Sequence, residues 1–329
     1  MHNYVIFGIT NEFYRHSFAD LKKLNNVLIR EDIYENDNKF LYYLYRLHTF
    51  PKTKIRWPFT SAWDSRSYRD TFDNGERMCF VFMPKHANRH SYFKYLREKY
   101  TECKLVMMFR DRVDRNLQWF PYLRMEEIKS EFDLVYSYNK YDCDEYGLLY
   151  FNTEASKEDL IPRDQSKWSD VVFIGNVKDR LEKIIKAYYI FKKAGLNTDF
   201  YVVGAPKGER FDGDGIVFAD KGISYAEMLN RTVNSKCVFE VSQPGEYGFT
   251  SRSQEAVMYN KMLITDSLIV KDQKFYPSKF IHFYEAVEEI DPMLIRESEM
   301  PEYGYDNEYS PIRVIEQIEN DLKHLIIIP

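Results

Sequence analysis

Two doubly wound α/β units, each around a parallel sheet, are what the sequence predicts, and three observations predict them. From Val171 onward, short apolar runs alternate with amphipathic helical stretches, the pattern that demands crossover connections and hence parallel strands. The N-terminal part repeats this grammar less regularly. At 329 residues, 44% of them hydrophobic, the chain has the length and the apolar material for two cores.

In the N-terminal part, strands are expected over Tyr4 to Ile9, Met78 to Met83, Leu105 to Arg110 and Leu134 to Tyr138. A long irregular insertion, Thr49 to Gly75, separates the first two and carries Trp57, Trp63, Asp64 and Arg66; a connection of that length inside a domain is usually functional or mobile. The polar stretch Asn152 to Ser169, with Pro162 inside it, reads as a linker. The expected domains are therefore residues 1–155 and 156–329, with the last helix free to pack back on the first.

The second half is more explicit. Val171 to Gly175 is a strand, after which Asn176 is placed as a helix cap; Leu181, Ile184, Ile185, Tyr188 and Phe191 then recur at helical spacing until Gly195. Strands follow at Phe200 to Gly204 and Ile216 to Phe218. Ser224 and Glu227 form a capping box for the next helix. Further strands are Cys237 to Val241, Met262 to Thr265 and Phe280 to Tyr284, and the final helix opens at Ser310-Pro311 with Pro in its first turn.

Net charge is −5 with pI near 5.9, which is read as excluding nucleic acid as a main partner, since phosphate backbones call for a concentrated basic face. Cys79, Cys103, Cys143 and Cys237 form no C-x-x-C pair, so a reducing cytoplasm is expected. The first ten residues lack the features of a signal peptide, and no apolar run approaches the ~20 residues of a membrane span. The expected location is cytoplasmic, with peripheral contact at the inner membrane face left open.

The most informative block is Asn234 to Asp266: a buried strand, a loop rich in Gly and hydroxyls, a helix opening near Ser251, and another strand. A strand feeding a Gly loop and a helix N-terminus makes an anion site, because unpaired N–H groups and the positive end of the helix dipole point into the loop. Thr250, Ser251, Arg252 and Glu255 add hydroxyl donors, a cation and a carboxylate that can accept from ribose. Ser251 with Gln254 also matches a capping box, and Arg252, Glu255 and Tyr259 share a helix face, where the plainer alternative is an ion pair.

This block resembles the donor-binding segment of GT-B glycosyltransferases, especially those building bacterial capsule, exopolysaccharide or lipopolysaccharide, on Gly248, Thr250, Arg252 and Glu255 of a G-x-T-x-R pattern followed by an acidic residue. Retaining members carry two glutamates separated by seven residues, whereas Glu246 and Glu255 have eight between them. The resemblance implies a GT-B-like fold, two Rossmann-like domains facing a cleft. It implies a nucleotide-sugar donor on the second domain, held by Gly248, Thr250, Ser251, Arg252 and Glu255; Asn176 and Arg180 are added by their place after that domain's first strand, where open α/β sheets bind ligands, with a surface ion pair the alternative for Arg180. It implies a glycan or lipid-linked saccharide acceptor on the first, and no cofactor or metal.

A two-domain transferase that inverts needs a base on the acceptor side. His86 and Asp111, each just beyond an expected strand, are the candidates; His90 and, in the insertion, Asp64 and Arg66 stand behind them. Two alternatives remain at this point. Asp142-Cys-Asp144 and Asp212-Gly-Asp214 both spell D-x-D, the metal–diphosphate pair of a metal-dependent GT-A enzyme. The other alternative is a non-catalytic nucleotide- or glycan-binding subunit. A dehydrogenase is disfavoured because no G-x-G-x-x-G turn follows a first strand.

Overall fold

A computed structural model describes residues 1–34, 38–50, 60, 68–72, 77–158, 161 and 164–325. Trp57, Trp63, Asp64, Arg66 and Gly75 of the insertion lie outside them. The chain forms two units, Met1–Ser156 together with Ser310–Pro329, and Lys157–Tyr309.

The first unit runs β1 (Asn3–Phe7), α1 (Glu12–Ser17), β2 (Val27–Arg30), α2 (Lys39–His48), β3 (Met78–Phe82), α3 (His90–Lys99), β4 (Lys104–Phe109), α4 (Val113–Leu117), α5 (Met125–Glu131), β5 (Leu134–Ser137), α6 (Lys140–Tyr146) and β6 (Leu149–Tyr150). Its strands pair in parallel in the order β2-β1-β3-β4-β5-β6. β1 and β3 read NYVIF and MCFVF and every residue is buried. Unbroken apolar runs, not alternation, are what a sheet covered on both faces requires. On one face Phe7 stacks on Phe82 with ring centroids 4.9 Å apart. The four strands read from sequence are all present to within two residues; the short β2 and β6 were not foreseen.

The second unit comprises β7 (Ser169–Asn176), α7 (Leu181–Lys193), β8 (Thr198–Val203), β9 (Ile216–Ala219), α8 (Tyr225–Val233), β10 (Ser235–Glu240), α9 (Ser251–Met258), β11 (Met262–Thr265), β12 (Ile281–Phe283) and α10 (Met293–Glu297). All strands are parallel, in the order β12-β11-β10-β7-β8-β9, and all six were legible in the sequence. Two parallel six-stranded α/β sheets are the fold class expected.

Ser224 caps α8 as read, accepting from the Glu227 N–H at 3.1 Å. Gly195 ends α7 at φ +72°, a conformation that favours glycine. Two cap assignments shift. Asn176 is the last residue of β7, paired with Val203, because the ladder with β8 outlasts the apolar run; the cap position of α7 is Arg180. Thr250, not Ser251, is the N-cap of α9, accepting from the Ser253 N–H at 3.3 Å.

The last helix, α11 (Pro311–Leu325), belongs to the first unit. Its Ile315, Ile318 and Leu322 join Tyr4, Ile6, Val81 and Val106 in the core on one sheet face. Glu319 anchors it, accepting from the His2 N–H at 2.9 Å and the Tyr4 hydroxyl at 2.8 Å, with His2 Nδ1 at 2.9 Å. Burial alone would raise this carboxyl, but those partners hold it down at about 2. Among the described residues no helix is long and apolar enough to cross a membrane.

Candidate functional site

In the second unit β7 comes first in sequence but lies inside the sheet; the chain builds outward to β8 and β9, then returns through α8 to β10 on the other side. The strand order therefore reverses between β7 and β10, and the crevice beyond their carboxyl ends is where open α/β sheets bind ligands. Arg180 bridges this point. Its Nη2 donates to the carbonyl of Asn176 at 2.9 Å and its Nη1 to the carbonyl of Val241. Burial lowers its pKa, opposed by nearby carboxylates with Glu240 foremost. Its Nε is buried without a partner.

Glu240, the last residue of β10, fixes the helix that follows. Its carboxylate accepts from Ser253 Oγ at 2.6 Å, from Thr265 Oγ1 at 2.7 Å and from the Thr250 hydroxyl. One buried side chain thus ties the first turn of α9 to β10 and β11. Sequence reasoning missed this role, although a carboxylate inside an apolar strand followed by Thr250, Ser253 and Thr265 was the available signal.

The first turn of α9 carries the predicted ligands. Gly248 is buried at a bend before the helix, and Ser251 is its first residue. Arg252 Nη2 lies 2.7 Å from Glu255 Oε1, which also accepts from the Tyr225 hydroxyl of α8 at 3.2 Å. This is the ion pair of the plainer alternative, but it is buried: Glu255 is fully enclosed, and burial raises its pKa to about 6 against the pull of Arg252 and Tyr225. Tyr259 turns away, accepting from the Glu158 N–H at 2.9 Å. Arg180 Nε, Ser242 Oγ, Arg252 Nη1 and Glu255 Oε2 are buried with no hydrogen-bond partner among the described residues. All four belong to the segments that follow β7 and β10, Arg180 after the first and Ser242, Arg252 and Glu255 after the second.

In the first unit the proposed bases separate. His86 is fully buried after β3, edge-on to Phe7 and Phe82; burial drives its pKa well down, which favours the neutral ring. Asp111 follows β4 and is exposed, 3.3 Å from Arg115. His90 pairs with Glu131. Sequence reasoning missed Asp32, just beyond β2, whose Oδ1 accepts from the Tyr45 hydroxyl at 2.6 Å and lies 3.8 Å from His86 Nδ1.

One aspartate of each D-x-D match has a structural partner. Asp142 is buried and accepts from the Val113 N–H at 2.9 Å and the Ser137 hydroxyl at 3.2 Å, capping α4. Asp214 pairs with Lys192 at the surface.

The sequence matches no protein-family profile and no characterised protein sequence. Solved structures do match. An alpha-glucosyltransferase in complex with UDP-glucose and DNA containing an abasic site aligns over 87% of this chain and 84% of that one, at 13% identity and a TM-score of 0.50. A protein described as a UDP-N-acetylglucosamine 2-epimerase from Listeria monocytogenes aligns over 98% of both chains, at 8% identity and a TM-score of 0.51. These likenesses establish a shared fold.

They also correct one expectation. Nucleic acid was excluded on net charge, yet a chain of this fold is recorded with DNA bound. Net charge is a sum and does not describe a surface. Here the two units differ: Met1–Ser156 with Ser310–Pro329 holds 26 Lys and Arg against 25 Asp and Glu, while Lys157–Tyr309 holds 20 against 26. The acidic excess resides wholly in the second.

Proposed function

We propose that the protein is a glycosyltransferase that takes its sugar from a nucleotide-sugar donor, a UDP-sugar first among them. The observation that carries this reading is the set of four unpaired buried polar atoms where the second sheet reverses its strand order. Arg180 and Arg252, with the N-terminus of α9, supply positive potential for a diphosphate leaving group. The free oxygen of Glu255 is suited to a ribose hydroxyl.

The acceptor is read as a saccharide hydroxyl, on a glycan or a lipid-linked saccharide in surface polysaccharide synthesis, because the Gly248–Glu255 pattern resembles enzymes of that kind. Asp111, exposed beyond β4, is the proposed base. With charge stabilisation assigned to Arg252 and the helix, turnover is expected to survive excess EDTA. Loss on chelation with rescue by manganese would transfer that role to a metal.

The test is product analysis with UDP-glucose and UDP-N-acetylglucosamine, offered alone, with oligosaccharide acceptors and with DNA. Acceptor-dependent release of UDP with a glycosylated saccharide supports the reading. Sugar transferred only to DNA would move the acceptor class. Interconversion of the sugar without transfer would make the protein an epimerase. In an active system Asp111→Asn should lower turnover by the ~10²–10⁴-fold of a lost general base, with donor affinity unchanged.

A further inference from the structure

The outer edge of the first sheet is only partly covered. β2 is the strand at that edge. Its Val27 and Ile29, two residues apart and so on one face, pack against the core shared by β1 and α11, yet both stay half-buried. The connection between β1 and β2 supplies the reason. α1 lasts six residues and gives way to a 3-10 helix (Ala19–Lys23), a thinner element that covers less of a sheet face than a continued α-helix. What remains is a cavity of about 360 Å³ walled by Ile9, Leu21, Val27 and Ile29. Packed interiors leave few voids larger than a water molecule. This volume lies within the range of small-molecule sites, which are apolar pockets with a few placed polar groups.

The lining describes the occupant. All four walls are aliphatic, with no aromatic ring, amide or hydroxyl side chain among them, so they suit an aliphatic chain better than a nucleobase or a sugar. Arg15, Lys22 and Glu31 complete the lining. Arg15 pairs with Glu31, both side chains being more than half exposed, and such a pair holds its members only weakly. Lys22 is exposed and has no carboxylate partner among the described residues. Two cations against one carboxylate at the rim call for an anionic head.

We infer that this cavity takes the chain of a single-chain amphiphile, with its anionic head, a phosphate or a carboxylate, against Lys22 and Arg15. The site lies within the first unit and does not depend on the donor reading.

The test is calorimetric titration of the full chain with decyl phosphate, decanoate and decanol, each kept monomeric. The wild type should bind both anions and take decanol about tenfold or more weakly, the factor of one charge-assisted hydrogen bond. Tighter binding of decyl phosphate assigns the site to a lipid phosphate, as on a lipid-linked saccharide; tighter binding of decanoate assigns it to a free fatty acid. Lys22→Glu should lower affinity for the anions about tenfold or more and leave decanol unchanged. Ile29→Phe, which fills the cavity with a residue suited to a strand, should weaken all three ligands. Because Lys22 is exposed, its variant should melt with the wild type, which excludes unfolding as the cause. Failure of the wild type to bind either anion would overturn the inference. So would decanol bound as tightly as the anions, or anion binding that Lys22→Glu and Ile29→Phe both leave unchanged.

Discussion

Two buried glutamates, one in each unit, face opposite fates. Glu319 of α11 is surrounded by donors from His2 and Tyr4, and they hold it at about 2. Glu255 of α9 has one oxygen engaged by Arg252 and Tyr225 and the other buried without a partner, and its pKa rises to about 6. Burial raises both carboxyls, Glu255 more because it is completely enclosed, and the hydrogen bonds to Glu319 outweigh the rise where those to Glu255 do not. A carboxylate whose lone pairs are filled by the protein stabilises the fold. We read the half-filled one, beside an Arg nitrogen with no hydrogen-bond partner among the described residues, as the ribose acceptor of the proposed donor site. Glu240, with three hydroxyl donors, belongs with Glu319 although it lies beside Glu255.

The largest effect is expected at Glu319. Glu319→Ala strands the Tyr4 hydroxyl and the His2 donors, at about 1–3 kcal/mol for each buried donor left unpaired, and should lower the denaturation midpoint of the first unit. Because its folded pKa lies below its ordinary 4.5, its contribution is present above that value and lost as pH falls toward 2. The variant should therefore show a flatter acid limb in urea melts between pH 4.5 and 2. An unchanged acid limb would remove Glu319 from the role of anchor.

Glu255 should behave in the reverse sense. Its folded pKa is raised, so its protonated form favours folding below 4.5 and that contribution is lost as pH rises through about 6. Donor binding should show the complementary trend: affinity falls as pH drops through about 6, because the neutral carboxyl loses its pairing with Arg252 and its acceptor strength. Glu255→Gln should bind more weakly at pH 7.5 and lose this inflection. An inflection that survives the substitution would assign it to another group.

The smallest effect is expected at Thr250, whose hydroxyl both caps α9 and bonds Glu240. Thr250→Ser keeps both and should change stability by less than about 0.5 kcal/mol, whereas Thr250→Ala should lose about 1 kcal/mol in thermal melts. Equal stability of the two variants would contradict the assigned cap.

How much of this was legible in the sequence follows the same physics. The six strands of the second unit could be read because each is an apolar run bounded by helix caps and stops such as Ser224 and Gly195. In the first unit β2 was missed because a four-residue edge strand, VLIR, has no length to distinguish it. In the site, Arg252 and Glu255 were legible because local spacing puts them on one helical face. Glu240 and Tyr225 were not, since their roles arise from strands and helices meeting across 10 to 30 residues. His86 illustrates the opposite error: its place after a strand was read correctly, but only tertiary packing shows that Phe7 and Phe82 enclose it.

The central claim is that the reversal point of the second sheet binds a nucleotide diphosphate through Arg252 and its neighbours. Calorimetric titration of UDP and of uridine into the wild type and Arg252→Ala tests it most directly. Charge-assisted hydrogen bonds contribute roughly 1.5–3 kcal/mol, so the account predicts that the variant loses about tenfold or more in affinity for UDP while uridine binding changes little. UDP bound equally by both proteins, or by neither, would contradict it.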